Sequence, residues 1–119
     1  MRLSEVKRIL KAQVATGEDR LDMEIMAGAG GDLMSDILRG PKEGVLLLSG
    51  LNNIQSVRTA VIAGASALIL VRDKIPDDDM KDQARENGLP LLTTPFTMFT
   101  ACGRLFSAGL RGVEKKRPE

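Results

Sequence analysis

A chain of 119 residues that is 43% hydrophobic suits one compact domain able to bury about two-thirds of its unfolded surface. Seventeen basic residues against sixteen acidic ones leave no net field to draw nucleic acid or an anionic membrane, and no apolar run approaches the ~20 residues needed to span a bilayer. One cysteine and no histidine leave no internal disulfide, no zinc set and no imidazole base, so no metal or cofactor is expected and a reducing, cytoplasmic setting fits best. In chain order, Ser4 is expected to cap a short helix running through Ala12, with Leu3, Val6, Ile9 and Leu10 at helical spacing; Glu5 and Arg8 keep this stretch from resembling a signal-peptide core. Gln13 to Thr16 reads as an edge strand and Gly17-Glu18-Asp19-Arg20 as a turn. Leu21, Met23 and Ile25 alternate with Asp22 and Glu24, which predicts a strand over residues 21–27.

Gly28-Ala29-Gly30-Gly31-Asp32 then reads as a tight turn before a helix whose buried face is Leu33, Met34, Ile37 and Leu38 and whose end is Gly40-Pro41. The next unit is stronger. Val45-Leu46-Leu47-Leu48 is a strand covered on both faces, Ser49-Gly50-Leu51-Asn52-Asn53 a loop, and Ile54, Val57, Val61 and Ile62 mark a helix closed by Gly64. Residues 67–71 give another fully apolar strand, Pro76 and Asp77-Asp78-Asp79 open a polar helix ended by Asn87-Gly88, and residues 89–93 form the last strand. Thr94-Pro95 is expected to cap and open a helix from about Phe96 to Leu110, with the basic residues after it fraying. The domain is therefore set at 1–112, with 113–119 as a flexible basic tail.

This alternation predicts an α/β fold: an open, mostly parallel sheet of 4–5 strands with helices on both faces, joined by right-handed crossovers. Ligands in such sheets sit beyond the carboxyl ends of strands, near the point where strand order reverses. The rule selects Gly28, Gly30, Gly31 and Asp32, then Ser49, Gly50, Asn52 and Asn53, then Arg72 and Asp73, then Thr93 and Thr94. Three glycines in four positions can bare consecutive N–H groups near a helix N-terminus, a setting for an anion. Yet they lack the spacing of a dinucleotide fingerprint, and no Gly-Lys-Ser/Thr follows. Tight turning alone accounts for them equally well, as capping accounts for Asp32 and turn chemistry for Ser49, Asn52 and Asn53. Cys102, with Met98, Leu105 and Phe106 at compatible spacing, reads as core. The last helix carries two apolar faces, Phe96, Phe99, Gly103 and Phe106 on one and Met98, Cys102, Leu105 and Gly109 on the other, more than one sheet face requires; the surplus predicts a homodimer.

Ile25-Met26-Ala27-Gly28, Leu46-Leu47-Leu48-Ser49-Gly50, Ala67-Leu68-Ile69-Leu70-Val71, and Leu89-Pro90-Leu91-Leu92-Thr93-Thr94 with Phe96-Thr97-Met98-Phe99-Thr100-Ala101 together resemble the DRTGG domain over nearly the whole chain. The literal Asp-Arg-Thr-Gly-Gly string is absent: Asp19-Arg20 leads into Leu21, and Gly30-Gly31 stands apart. The resemblance implies the fold of the N-terminal domain of HPr kinase/phosphorylase, shared with the middle domain of long phosphotransacetylases and with modules beside CBS domains, but not the kinase activity, whose P-loop is missing. It implies a non-catalytic regulatory module that senses a small polar or anionic ligand, or mediates contact with a regulatory protein, in a metabolic or hydrogenase-linked redox system. Two alternatives remain open from the residues: a small enzyme acting on a phosphorylated metabolite with Asp32 as base, and a scaffold that binds only protein.

Overall fold

The strands that the sequence marks as wholly apolar are the middle of the sheet. In the computed structural model, which describes residues 1–32 and 43–114, β3 (Val45–Ser49) and β4 (Ala67–Leu70) are buried at every position. β2 (Ala27–Gly30) lies beside β3, β5 (Leu91–Thr93) beside β4, and β1 (Gln13–Thr16) beyond β5, giving the order β1-β5-β4-β3-β2. β2 to β5 are parallel; β1 is antiparallel. The expected architecture is thus met with five strands. The parallel strands follow one another without reversal, so among the described residues the sheet has no switch point of the kind that opens a crevice in doubly wound folds.

Side chains alternate between the two faces of a strand, and here each face has its own helices. Leu46, Leu48, Ile69 and Leu92 meet Leu3, Val6 and Leu10 of the α1 region (helix Leu3–Ile9) and Ala101 and Leu105 of α4 (Met98–Ser107). Val45, Leu47, Leu68, Leu70 and Leu91 meet Val57 and Ala60 of α2 (Ile54–Ala63) and Met80 and Ala84 of α3 (Asp78–Glu86). α2 and α3 link successive parallel strands and therefore share a face. Each aliphatic side chain buried in these layers contributes about 1.5–3 kcal/mol, so the two apolar layers flanking β3 and β4 are the main stabilising element.

Three boundaries depart from expectation. Residues 21–26 do not join the sheet. Their alternation is real, with Ile25 buried and Leu21 and Met23 half-buried, but their backbone serves α1: Leu3 and Ser4 donate to the carbonyls of Met23 and Leu21, and Ile25 donates to Met1. The same bonds explain why Ser4 is not a cap. The first N–H groups of α1 are already satisfied, Ser4 lies inside the helix, Glu5 accepts from the Arg2 N–H at 3.2 Å, and the helix ends at Ile9 before Lys11 turns left-handed (φ 49°). The last helix opens at Thr97, whose hydroxyl accepts from the Thr100 N–H, rather than at Thr94, whose hydroxyl donates 2.6 Å to the buried Leu10 carbonyl. The predicted helix of Leu33, Met34, Ile37 and Leu38 and its Gly40-Pro41 end lie outside the described residues, as do residues 115–119 of the expected tail.

Candidate functional site

The glycine cluster is strand before it is turn. Gly28 and Gly30 are both in β2, two residues apart and so on one face, and that face is pressed against α4 and the chain beyond it. A Cβ on Gly28 would stand 3.2 Å from Leu110 Cδ2, and one on Gly30 3.0 Å from Met98 Sδ and 3.4 Å from Cys102 Sγ. Close packing is the physical reason for these two glycines. Their neighbourhood is also bonded: the Gly28 N–H donates to Arg111 O at 2.9 Å, and Gly31 N–H to Leu48 O at 3.0 Å. Burial raises the Cys102 thiol above its ordinary value, as its place in this packing requires.

The Gly31 bond carries the ladder one residue past β2 and sets Asp32 beside the end of β3. There its Oδ1 accepts from the Gly50 N–H at 2.7 Å and the Ser49 hydroxyl at 3.0 Å, while Ser49 Oγ itself accepts from the Leu51 N–H at 3.1 Å. Arg72 comes to the same side of Gly50. A Cβ on Gly50 would be 3.3 Å from Arg72 Nη2 and 3.4 Å from Asp32 Oδ2, so the missing side chain leaves room for a guanidinium and a carboxylate to border the same space beside one peptide. Both residues are exposed, and Arg72 has no side-chain hydrogen bond or ion pair among the described residues.

Arg72 is held there by unusual backbone. Arg72 and Asp73 are consecutive left-handed residues (φ 62° and 58°), a conformation that costs roughly 1–2 kcal/mol for each side-chain-bearing residue. Their N–H groups are tied to Phe96 O and Thr94 O, both at 2.8 Å, which holds the strained pair against the β5–α4 connection. Asn52 joins the adjoining loops by donating from Nδ2 to Ile75 O at 3.0 Å.

The structure therefore brings together Asp32, Ser49, Gly50 and Arg72, with Asn52 at the margin. Other sequence candidates fall elsewhere. Asn53 is the N-cap of α2, accepting from Gln55 and Ser56 N–H groups. Thr94 is buried on Leu10, and Thr93 lines a different hollow with Lys74 and Lys81. Those lysines had no distinguishing signal: near an acidic helix, each has the pattern of a solvated surface charge.

With this geometry in view, the comparisons assign the chain. The DRTGG domain model matches residues 5–108, and the chain belongs to the DRTGG domain family. Comparison with curated proteins finds no match. Among solved structures, the CBS and DRTGG domains of the regulatory region of Clostridium perfringens pyrophosphatase, complexed with the activator diadenosine tetraphosphate, align with a TM-score of 0.72 at 18% identity. The alignment covers 87% of this chain and 45% of that one, so the chain spans less than half of its neighbour's length. At this identity the likeness carries the fold.

Proposed function

We propose that this chain is a non-catalytic, cytoplasmic regulatory module that senses a small phosphate-bearing molecule at the carboxyl end of its sheet, through Ser49, Gly50 and Arg72 with Asn52 at the rim. The observation that carries the reading is the position of Asp32: its carboxylate oxygen occupies the place that an anionic ligand would take on the Gly50 N–H and Ser49 hydroxyl. Arg72 faces the same peptide and supplies the charge that such a ligand needs. Binding then exchanges one anion for another, releasing Asp32 from the end of β3. A ligand that binds only the released state shifts the equilibrium toward it, which is the requirement for a signal. The neighbouring regulatory region's nucleotide activator supports a phosphate-bearing ligand class. Gly28, Gly30, Gly31, Asn53 and Thr94 enter this proposal as supports of the site rather than as contacts, because their groups are engaged within the fold.

Calorimetric titration with mononucleotides, dinucleoside polyphosphates and acyl phosphates tests it. Arg72→Ala is expected to weaken binding about tenfold or more, the loss of one charge-assisted hydrogen bond. Asp32→Asn is expected to tighten it, because a competing negative charge is removed. Absence of binding across the panel, or weakening by both variants alike, overturns the reading. Product formation abolished by Asp32→Asn would establish the enzymatic alternative instead.

A second surface favours assembly. Phe99 is 89% and Phe106 57% exposed on one side of α4, with nothing beyond the helix's own backbone within 4 Å of the Cβ position of Gly103 between them. We infer that this side meets its equivalent on a second copy, forming a homodimer.

A further inference from the structure

We propose a second anion site, apart from Asp32 and Arg72, in the hollow between β1, the β4–α3 connection and α3, with inorganic phosphate or a phosphate ester as the class of occupant. The hollow has a volume of about 260 Å³ and is lined by Gln13, Val14 and Ala15 of β1, Thr93 of β5, Lys74, Ile75 and Pro76 of the connection, and Lys81 of α3. Among the described residues two lysines and no acid line it. Lys81 lies with only 31% of its side chain exposed, its stem lodged in the fold, and its ion-pair partner is Asp78 at 3.5 Å, a side chain 95% exposed. Such an exposed pair is worth about 0–1 kcal/mol and leaves the ammonium available. Lys74 has no ion pair, and the half-buried Thr93 hydroxyl no hydrogen bond, among the described residues. Of the acids that open α3, Asp77 accepts from the Met80 N–H as the helix cap, and Asp78 is 95% exposed where it pairs with Lys81.

Two like charges gathered around one concavity repel each other, and an anion between them relieves the repulsion while gaining charge-assisted hydrogen bonds from both. Thr93 and Gln13, paired across β5 and β1, also line the wall and carry side chains with neutral donors. A phosphate monoester, with three terminal oxygens, can accept from all of these at once. The site rests on its own residues and stands or falls independently of the Asp32 exchange.

Titration of isotope-labelled protein with inorganic pyrophosphate, at ionic strength held constant with chloride, tests the site through assigned amide resonances. Saturable shifts centred on Thr93, Lys74 and Lys81 are expected, weakened about tenfold by Lys81→Met or Lys74→Met. Arg72→Ala is expected to leave them in place. Shifts that grow linearly with concentration, that persist in the Lys74→Met/Lys81→Met double variant, or that vanish in Arg72→Ala overturn the proposal. Retention of a dispersed spectrum in each variant shows that the charge, and not the fold, has been changed.

Discussion

Glycines that look alike in the sequence do different work, and single substitutions separate them. Gly17 combines a left-handed backbone (φ 88°) with a missing Cβ that would stand 2.7 Å from Pro90 Cα, so neither rotation nor a flexible neighbour can absorb an added methyl. Gly17→Ala is expected to cost on the order of 3 kcal/mol, backbone strain and overpacking together, in urea unfolding. Gly64 has a similar backbone (φ 75°) but open space around it, and Gly64→Ala should cost only about 1 kcal/mol. A difference between the two smaller than the measurement error would show that the Pro90 contact yields. Cys102 gives a prediction with a sign. Its folded value is raised by burial, so the neutral thiol's stability contribution is fully present below the unfolded thiol value and declines as pH rises through the alkaline range toward the folded one. Cys102→Ala should therefore lose less stability than the parent on that alkaline limb, and the parent thiol should react slowly with iodoacetamide at neutral pH. That Cys102 packs on the core was legible from spacing, though it is half-buried at the edge of that core rather than inside it, whereas the role of Gly28 and Gly30 was not legible. Their two-residue separation was the available signal, but glycine has no side chain with which to announce a face.

Among the elements, the connection between β5 and α4 shows how one buried polar residue can tie several parts of the fold together. Thr94 is fully buried, donates to Leu10 O at 2.6 Å, and offers its carbonyl to the Asp73 N–H, tying α1, β5 and the strained Arg72-Asp73 pair together. Thr94→Val keeps the shape and leaves the Leu10 carbonyl without that donor, which should cost about 1–3 kcal/mol. Thr97→Ala, which removes only the cap of α4, should cost about 1 kcal/mol. Equal losses in thermal unfolding would move the cap back toward Thr94. The sequence located β3 and β4 because a strand buried on both faces needs an unbroken apolar run. It misplaced β2 because alternation at residues 21–25 specifies an extended chain and an apolar side, but not the partner. That partner is the N-terminus of α1, some 20 residues earlier, and no local pattern encodes it. The meeting of Asp32 with Ser49 and Gly50 was legible only as a list of loops; strand order, which makes β2 and β3 neighbours, turned the list into one hydrogen-bonded cluster.

At the scale of the whole molecule, the proposed signalling role needs a ligand end and a partner surface, and the exposed side of α4 is the candidate for the second. Its inner side packs Ala101 and Leu105 into the core, while Phe99, Gly103 and Phe106 at positions i, i+4 and i+7 remain outside. Arg104 stacks on Phe96 at 4.5 Å and Arg111 on Phe106 at 4.1 Å, and Arg8 borders the same surface, so the apolar strip is framed by guanidinium groups. A two-fold contact sets the same patch of both copies face to face, so one arginine-framed strip meets another: the apolar strip favours association and the arginines, all of one sign, oppose it. Two consequences follow for sedimentation at micromolar concentration. The parent chain should dimerise more strongly as salt rises and screens the like charges, the reverse of an interface held by ion pairs. Phe99→Ser with Phe106→Ser should give a monomer whose melting temperature is nearly that of the parent monomer, because side chains this exposed contribute within about 0.5 kcal/mol to folding. A parent chain that is monomeric at every salt concentration removes the dimer; a dimer that weakens with salt and survives the double substitution places its interface elsewhere, on a surface held by opposite charges.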